Sequence, residues 1–268
     1  MSVKKHKLSI IIPCYNEKES IEACVSRVFS MAEGQDFELE VIIVDDASGP
    51  EGAAHLKELS AKYPRIQFFR HEKNLGKGAA VKTGLMRASG DFIAIQDADS
   101  EYNPLDYLPM LSILISQNAD VVFGSRYLSG GARRVLGFWH TAVNKFLTLF
   151  SNILTDMTLT DMETCYKLMR RELVMQIAPE LREERFGFEV EITARIARAK
   201  AVVFECPISY NPRTKAQGKK IGWKDGFRAL YCIIRYNANA RAAALLILFL
   251  LLIIFVMSPV ALLLRALI

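Results

Sequence analysis

Cysteine is scarce in this chain of 268 residues and follows no recognisable spacing. The five cysteines, at positions 14, 24, 165, 206 and 232, are odd in number and far apart. Zinc sites need closely spaced pairs of ligands, and small secreted scaffolds need a dense, even set of cysteines. The pattern argues against both classes and predicts reduced thiols facing a cytosol.

Two glycine-rich nucleotide motifs are also missing. No G-x-G-x-x-G follows the first apolar run, and no G-x-x-x-x-G-K-[ST] occurs in the chain. Gly76 and Gly78, on either side of Lys77, lack the third glycine of a dinucleotide fingerprint. A nucleotide bound here is therefore not held by a phosphate-cradling glycine loop.

A strong excess of one charge is lacking as well. The chain has 34 Lys and Arg against 29 Asp and Glu, which gives a formal net charge of +5. That balance is too mild to predict nucleic-acid binding. A hydrophobic content of 51% provides ample material for a core, which argues against disorder.

Long apolar runs are absent until residues 242–264, which contain no charged residue. The N-terminal stretch MSVKKHKLSIIIP has an apolar run of about four residues, well short of a signal-peptide core. The run 242–264 is long enough, at ~1.5 Å per residue, to cross a ~30 Å hydrocarbon layer, whereas a core helix is rarely apolar on every face for so long. We expect a single-pass membrane protein whose large N-terminal portion lies in the cytoplasm, because basic residues precede the run. These residues are Lys219, Lys220, Lys224, Arg228, Arg235 and Arg241.

Strand-length apolar runs alternate with helical patterns up to residue 123. Strands are predicted over 8–13, 39–44, 66–69, 91–95 and 120–123, and helices over 19–32, 51–62, 77–88 and 105–117. This alternation predicts an α/β fold with a mostly parallel sheet flanked by helices. Polar residues follow each predicted strand, at the edge of the sheet where such folds bind ligands.

Three acids follow the fourth predicted strand in the stretch IQDADSEYNP, namely Asp97, Asp99 and Glu101. Asp97 and Asp99 can place two carboxylates on one side of an extended chain, where they repel each other unless a cation lies between them. Hard oxygen ligands favour Mg²⁺ or Mn²⁺, completed by substrate phosphates, and Glu101 is available as a third ligand. The alternative is that these residues only begin a helix ahead of Pro104.

The chain resembles a known family over residues 8–241. The resemblance lies in the segments SIIIPCYNEKESI, VIIVDDAS, NLGKGAAVKTGLMRASGDFIAIQDADSEYNP and DVVFGSRY. They are similar to those of family 2 glycosyltransferases with a GT-A fold, and specifically to polyisoprenyl-phosphate glycosyltransferases of the dolichol-phosphate mannose synthase type. The resemblance implies a Rossmann-like GT-A domain that binds a nucleotide diphosphate sugar at the first two strands and the acid pair.

The resemblance also implies roles for individual residues. Asp97 and Asp99 would bind the metal, with Glu101, where the family often has Gln, as a less regular third ligand. Arg126 would take part in catalysis by neutralising the leaving diphosphate, and would contact the acceptor phosphate. The residues that would hold the nucleotide are Pro13, Tyr15, Glu17, Asp45, Lys77, Asp97 and Ala98.

The basic segment ECPISYNPRTKAQGKK, residues 205–220, is the candidate acceptor site. Arginine binds phosphate through a bidentate fork, and lysine adds a point charge. The resemblance assigns Arg213, with Lys219 or Lys220, to the acceptor phosphate. The alternative is a basic strip that is attracted to anionic lipid.

Two further carboxylates have weaker assignments. Asp161, in TDMETCYK, and Glu189, in GFEVE, could bind sugar hydroxyls or act as a base. Either could equally cap a helix or pair with Arg195 or Lys167.

Two segments, 133–154 and 223–237, have amphipathic helical patterns. The first could lie in the membrane interface with Trp139 at headgroup level, or pack as a core helix. The expected organisation is a GT-A catalytic domain over 1–210, a basic acceptor-binding and juxtamembrane segment over 211–241, and a transmembrane anchor over 242–268. A homo-oligomer is compatible with this organisation.

The predicted reaction is a metal-dependent, inverting transfer at the cytoplasmic membrane face. The donor would be a nucleotide diphosphate sugar of the GDP-mannose or UDP-glucose type, and the acceptor a dolichyl or undecaprenyl phosphate. Because the acceptor phosphate is already ionised, alignment and charge neutralisation would replace a strong base. The alternatives are a transferase acting on a saccharide hydroxyl, and a membrane-anchored nucleotide-sugar-binding protein without turnover.

Overall fold

The computed structural model describes residues 5–130, 134–213 and 223–237. The strands in these ranges are β1 (His6–Cys14), β2 (Phe37–Asp45), β3 (Ile66–Arg70), β4 (Phe92–Ile95), β5 (Val121–Ser125), β6 (Lys167–Arg170) and β7 (Val203–Pro207). The helices are α1 (Ile21–Ala32), α2 (Pro50–Lys62), α3 (Lys77–Arg87), α4 (Tyr107–Ser116), α5 (Phe138–Thr155), α6 (Arg171–Ile177), α7 (Phe188–Arg198) and α8 (Trp223–Tyr236).

The seven strands form one sheet in the order β3-β2-β1-β4-β6-β5-β7. Among them β6 runs antiparallel to both of its neighbours, β4 and β5, and the other neighbouring pairs are parallel. The residues that lead into β6 therefore reach the same edge as the carboxyl ends of the parallel strands. This edge gathers the polar residues that follow β1 to β5.

The centre of the sheet is built from uninterrupted apolar runs. Residues 10–12 of β1, 41–44 of β2 and 93–94 of β4 are fully buried. Strands that are covered on both faces read as continuous hydrophobic stretches rather than alternating ones. The core thus lies beneath the polar edge and holds it on rigid elements.

The five predicted strands and the first four predicted helices are confirmed, with ends that shift by about two residues. The amphipathic patterns over 133–154 and 223–237 correspond to α5 and α8, whereas the elements between α5 and α8 were not predicted individually. Strand β6 has only four residues, KLMR, and begins with a lysine that is completely buried. A run of four residues that begins with a charged side chain shows no recognisable hydrophobic periodicity, so the sequence alone does not predict this strand.

Helices α5, α7 and α8 pack around a second, smaller apolar cluster that includes Leu147, Val190 and Ile233. Helix α5 also exposes a row of apolar side chains: Phe138, Trp139, Val143, Phe146, Leu149 and Ile153. The helix is thus apolar both toward the core and toward the outside. It combines the packing expected of a core helix with the exposed face expected of an interfacial one.

No helix within the described residues is long and apolar enough to cross a membrane. The predicted transmembrane run, 242–264, lies outside the described residues.

Candidate active site

Asp97 and Asp99 follow β4 at the polar edge of the sheet. Lys77, at the start of α3, places its Nζ 2.8 Å from Asp97 Oδ1 and 2.8 Å from Glu189 Oε1. Glu189 lies in the first turn of α7 and is buried. One lysine therefore joins the first acid of the predicted metal pair to a carboxylate that comes from the far half of the chain.

Arg213 binds the acids from the other side. Its guanidinium lies 2.8 Å from Asp99 Oδ2 and 3.2 Å from Glu17 Oε2, and its backbone N–H donates to Glu101 Oε1 at 2.7 Å. The Tyr210 hydroxyl donates to the other oxygen of Glu101 at 2.9 Å. The predicted acceptor segment is thus in direct contact with residues predicted to hold the donor and its metal.

Burial and like charge act together on this acid cluster. Burial, followed by the charges of Asp97 and Glu101, raises the pKa of Asp99 to about 7. Burial also raises the pKa of Asp97, but the Lys77 ammonium outweighs it and leaves that pKa below its usual range. The site therefore has more negative charge than its two cations neutralise, which favours an additional cation.

The donor set fits a hard divalent cation at Asp97 and Asp99, where two carboxylates lie close enough to disturb each other's protonation. Both oxygens of Glu101 accept hydrogen bonds, from Tyr210 and Arg213. Both oxygens of Asp99 do so as well, from Arg213 and the Glu101 backbone N–H, so these contacts do not rank Glu101 below Asp99 as a ligand. Within the described ranges, no three His, Cys, Asp or Glu side chains form a ready metal cluster. Two carboxylates completed by substrate phosphates match the preference of Mg²⁺ for few protein ligands.

Arg126 follows β5 and is almost completely buried. Its Nε and one terminal nitrogen donate to the two oxygens of Asp161, each at 2.7 Å, and its backbone N–H donates to Asp161 Oδ2 at 3.0 Å. Both Asp161 oxygens accept hydrogen bonds from Arg126, and the sugar-binding role predicted for Asp161 stays a prediction. These contacts favour a role in orienting Arg126, whose guanidinium also lies 5.1 Å from the Tyr210 ring.

The alternative pairings considered for Asp161 and Glu189 are not found. Asp161 pairs with Arg126 and Glu189 with Lys77, whereas Arg195 binds Glu180 and Glu191. The buried Lys167 donates to the carbonyl oxygens of Met162 and Thr164.

The predicted nucleotide-binding residues also lie along the polar edge. Pro13 is buried at the end of β1, and Tyr15 just beyond it is 41% exposed. Asp45 is fully buried, accepts a hydrogen bond from the Ser48 backbone N–H at 2.9 Å and pairs with Arg70. Ala98 is buried between the two aspartates.

Sequence reasoning missed several residues of this edge. Asp46 accepts hydrogen bonds from His71 and from the backbone N–H groups of Leu75 and Gly76, and so holds the loop that leads to Lys77. Glu163 was also missed, although it lies within the quoted segment TDMETCYK. A buried acid gives no signal in a sequence until its neighbours in space are known. Lys219 and Lys220 lie outside the described residues.

The model of the family described as Glycosyl transferase family 2 matches residues 9–178, which is more than half of the chain. The chain therefore belongs to glycosyl transferase family 2, and the resemblance identified from the sequence is confirmed.

Curated relatives extend the likeness beyond that range. A dolichol-phosphate mannosyltransferase from Pyrococcus furiosus is 31% identical over 231 residues, which cover 85% of this chain and 63% of that protein. A dolichyl-phosphate beta-glucosyltransferase from Trichomonas vaginalis is 27% identical over 217 residues, with 76% and 63% covered. A polyprenol monophosphomannose synthase from Mycolicibacterium smegmatis is 28% identical over 219 residues, with 80% of each protein covered. The chain spans less than two thirds of the length of the first two relatives.

Solved structures share the architecture at low identity. A glucosyl-3-phosphoglycerate synthase from Mycobacterium tuberculosis, in complex with Mn²⁺, UDP-glucose and phosphoglyceric acid, has a TM-score of 0.65 and 14% identity. The match covers 87% of this chain and 80% of that one. The same enzyme with Mg²⁺ and UDP has a TM-score of 0.62 and 15% identity, with 86% and 79% covered. The chain has the GT-A fold, with a mostly parallel sheet flanked by helices.

Proposed function

We propose that this protein transfers a sugar from a nucleotide diphosphate sugar to a polyisoprenyl phosphate at the cytoplasmic face of a membrane. The observation that carries the proposal is the 2.8 Å contact between Arg213 and Asp99. It brings a phosphate-binding side chain of the predicted acceptor segment to the acid pair that would face the donor diphosphate. The names of the three curated relatives, each of which acts on or makes a dolichyl or polyprenyl phosphate sugar, support this acceptor class.

On the donor side, Asp97 and Asp99 would hold Mg²⁺ or Mn²⁺, which would neutralise the diphosphate as it leaves. Lys77 fixes Asp97, and Glu17 lies near enough to share Arg213 with Asp99. Tyr15, Pro13, Asp45 and Ala98 would border the base and ribose. The donor would be of the GDP-mannose or UDP-glucose type.

On the acceptor side, Arg126 and Arg213 would bind the lipid phosphate, with Lys219 or Lys220. An ionised phosphate oxygen attacks the anomeric carbon while the bond to the donor diphosphate breaks, with inversion at that carbon. No proton has to be removed, so the chain has to supply orientation and positive charge rather than a base. Asp161 contributes by holding the Arg126 guanidinium in one orientation.

The membrane assignment rests on the apolar face of α5 and on residues 242–264. Helix α8 adds exposed Phe227, Tyr231 and Ile234, and it packs against α5 in the second cluster. Two neighbouring helices with exposed apolar side chains fit a lipid surface better than water. The residues after α8 would then continue into a single membrane-spanning anchor over 242–268, preceded by the catalytic domain over 1–210 and the juxtamembrane segment over 211–241.

A transfer assay tests the proposal directly. Full-length protein in detergent is incubated with Mn²⁺, labelled UDP-glucose or GDP-mannose, and either undecaprenyl phosphate, dolichyl phosphate or a soluble oligosaccharide. We expect product on the lipid phosphates alone. Transfer to the saccharide would favour the polysaccharide alternative, and binding of nucleotide sugar without transfer would favour a non-catalytic binding protein.

A further inference from the structure

The segment 161–165 crosses the site from the acceptor side to the donor side. At its start Asp161 holds Arg126, as described above. At its end the Cys165 backbone N–H donates to the Tyr102 hydroxyl at 3.4 Å, and the Cys165 thiol donates to the carbonyl oxygen of Ile95, two residues before Asp97, at 3.6 Å. Glu163 is the middle residue of this crossing. It therefore lies between the arginine proposed for the acceptor phosphate and the aspartate proposed for the donor.

Two carboxylate oxygens in this region are buried and accept no hydrogen bond from the described residues, namely Glu163 Oε1 and Glu189 Oε2. Glu189 uses its other oxygen on Lys77, and its side chain is 7% exposed. Leaving a buried carboxylate oxygen without a donor is costly, so such atoms call for a partner beyond the described residues.

The charges around Glu163 agree with its central position. Burial, followed by the charge of Glu189, raises the pKa of Glu163 to about 7, while Lys167 and Arg126 act in the opposite direction. Glu163 therefore lies within electrostatic range of Glu189, which pairs with Lys77, and of Arg126. A carboxyl group in this position can accept a hydrogen bond from a ligand and, when protonated, donate one.

We propose that Glu163, together with Glu189, binds hydroxyl groups of the sugar that is transferred. The inference rests on the proposed function, because the sugar must lie between the leaving diphosphate at Asp97 and Asp99 and the acceptor phosphate at Arg126. Sugar hydroxyls supply the donors that the two free oxygens lack. Glu163 thus shares the role that the sequence suggested for Asp161 and Glu189, and Lys77 links sugar recognition to the carboxylate proposed to bind the metal.

The test separates sugar binding from nucleotide binding. Isothermal titration calorimetry with full-length protein and Mn²⁺ gives the affinities for UDP-glucose, GDP-mannose, UDP and GDP. In Glu163→Gln we expect the preferred nucleotide sugar to bind about ten- to a hundredfold more weakly, the loss that follows from a hydrogen bond to a charged group. Affinity for the matching nucleoside diphosphate should stay unchanged, which also shows that the variant folds. Glu172→Gln, an exposed acid on α6, is the matched control and should behave as wild type.

Deoxy forms of the preferred nucleotide sugar complete the test. Wild-type protein should lose affinity when one particular hydroxyl is removed, and Glu163→Gln should be insensitive to that same removal. Unchanged nucleotide-sugar affinity in Glu163→Gln overturns the inference. If the variant does not fold, equal binding of all deoxy forms by wild type overturns it instead. Wild-type protein that binds no nucleotide sugar overturns the proposed function and the inference with it, whereas binding without a hydroxyl preference overturns the inference alone.

Discussion

Two basic side chains at the polar edge each contact more than one carboxylate. Lys77 contacts Asp97 and Glu189, and Arg213 contacts Asp99, Glu17 and Glu101. Removing one partner of a buried ion pair leaves the other charge uncompensated, which is usually costly. Substitutions at this edge should therefore be compared with conservative variants that keep shape or charge.

Asp99→Asn should nearly abolish transfer while the protein stays folded. The amide removes an anionic metal ligand. The transfer rate should therefore fall by more than the roughly hundredfold loss that follows when only a residue supporting a metal ligand is mutated. Transfer rate and Mn²⁺ binding by electron paramagnetic resonance are the two measurements. Asp36→Asn, on the exposed surface, is the control. Full activity of Asp99→Asn, or of wild type in EDTA, would show that the acid pair holds no essential metal.

Arg213→Ala should raise the Michaelis constant for lipid phosphate or lower the transfer rate, because a charge-assisted bond worth roughly 1.5–3 kcal/mol is lost. The change corresponds to about ten- to a hundredfold. Arg213→Lys should not restore activity, since a single ammonium group cannot reproduce the planar fork that contacts Asp99 and Glu17 together. Rates are measured against lipid-phosphate concentration in detergent at low and high salt. If Arg213→Lys is as active as wild type, and high salt alone removes the difference between wild type and Arg213→Ala, the segment attracts the lipid diffusely instead of binding its phosphate specifically.

At the level of elements, the start of α3 is held by close backbone contact. Gly76 has φ +109°, in a region that favours glycine, and a Cβ built on Gly78 would lie 2.2 Å from the carbonyl oxygen of Glu183. The Ala79 backbone N–H donates to the Glu184 carbonyl at 3.0 Å. Any side chain at Gly78 must therefore push α3, and Lys77 with it, away from the segment that leads into α7.

Gly78→Ala should lower the free energy of unfolding by about 1–3 kcal/mol, the usual cost of forcing a methyl group into a packed site. It should also reduce transfer, because Lys77 moves relative to Asp97 and Glu189. Urea unfolding and the transfer assay measure the two effects. Gly226→Ala on α8 provides the contrast, since its Cβ would meet nothing within 4 Å and alanine should stabilise the helix. Equal stability of the two variants would contradict the close approach.

Glu40 joins the strands at the opposite edge of the sheet. It is buried in β2 and accepts hydrogen bonds from Ser9 in β1, Gln67 in β3, and Ser89 just before β4, as well as from Lys7. Burial raises the pKa of Glu40, but these hydrogen bonds outweigh it and bring the pKa down to about 2.

The pKa of Glu40 is lower in the folded state than in the unfolded state. The stabilisation of the fold by the ionised Glu40 is therefore fully present above the unfolded pKa of about 4.3 and is lost as the pH falls toward 2. The shift corresponds to roughly 3 kcal/mol. Glu40→Gln should therefore lose stability at pH 7 and show a flatter dependence between about pH 5 and 2 than wild type. Urea midpoints across this range are the measurement, and the exposed Glu38→Gln on the same strand is the control. Parallel curves for Glu40→Gln and wild type would refute the assignment.

For the molecule as a whole, the question is how it is held at a membrane. The full chain should stay in the membrane pellet after a high-salt or carbonate wash, because residues 242–264 are uncharged and long enough to span. Truncation at Asn239 should release much of it, and sedimentation with immunodetection measures the fractions. Partial retention of the truncated form would indicate that the exposed apolar faces of α5 and α8 also bind lipid. Complete extraction of the intact chain would show that the segment does not span.

The sequence by itself determined the α/β alternation, the bounds of β1 to β5 within about two residues, the acid pair after β4 and the family. These features are local: a strand or a motif is written in consecutive residues, and apolar periodicity reports which of them are buried. The basic segment around Arg213 was visible for the same reason.

Only the tertiary structure decided which charges meet. Arg213 and Asp99 are 114 residues apart, and Asp161 could be matched to Arg126 rather than to Arg195 or Lys167 only once β6 was seen to run antiparallel between β4 and β5. That reversed strand brings residues 161–166, and Glu163 with them, to the same edge as Asp97. Ion pairs depend on distances in space, which local sequence patterns do not encode.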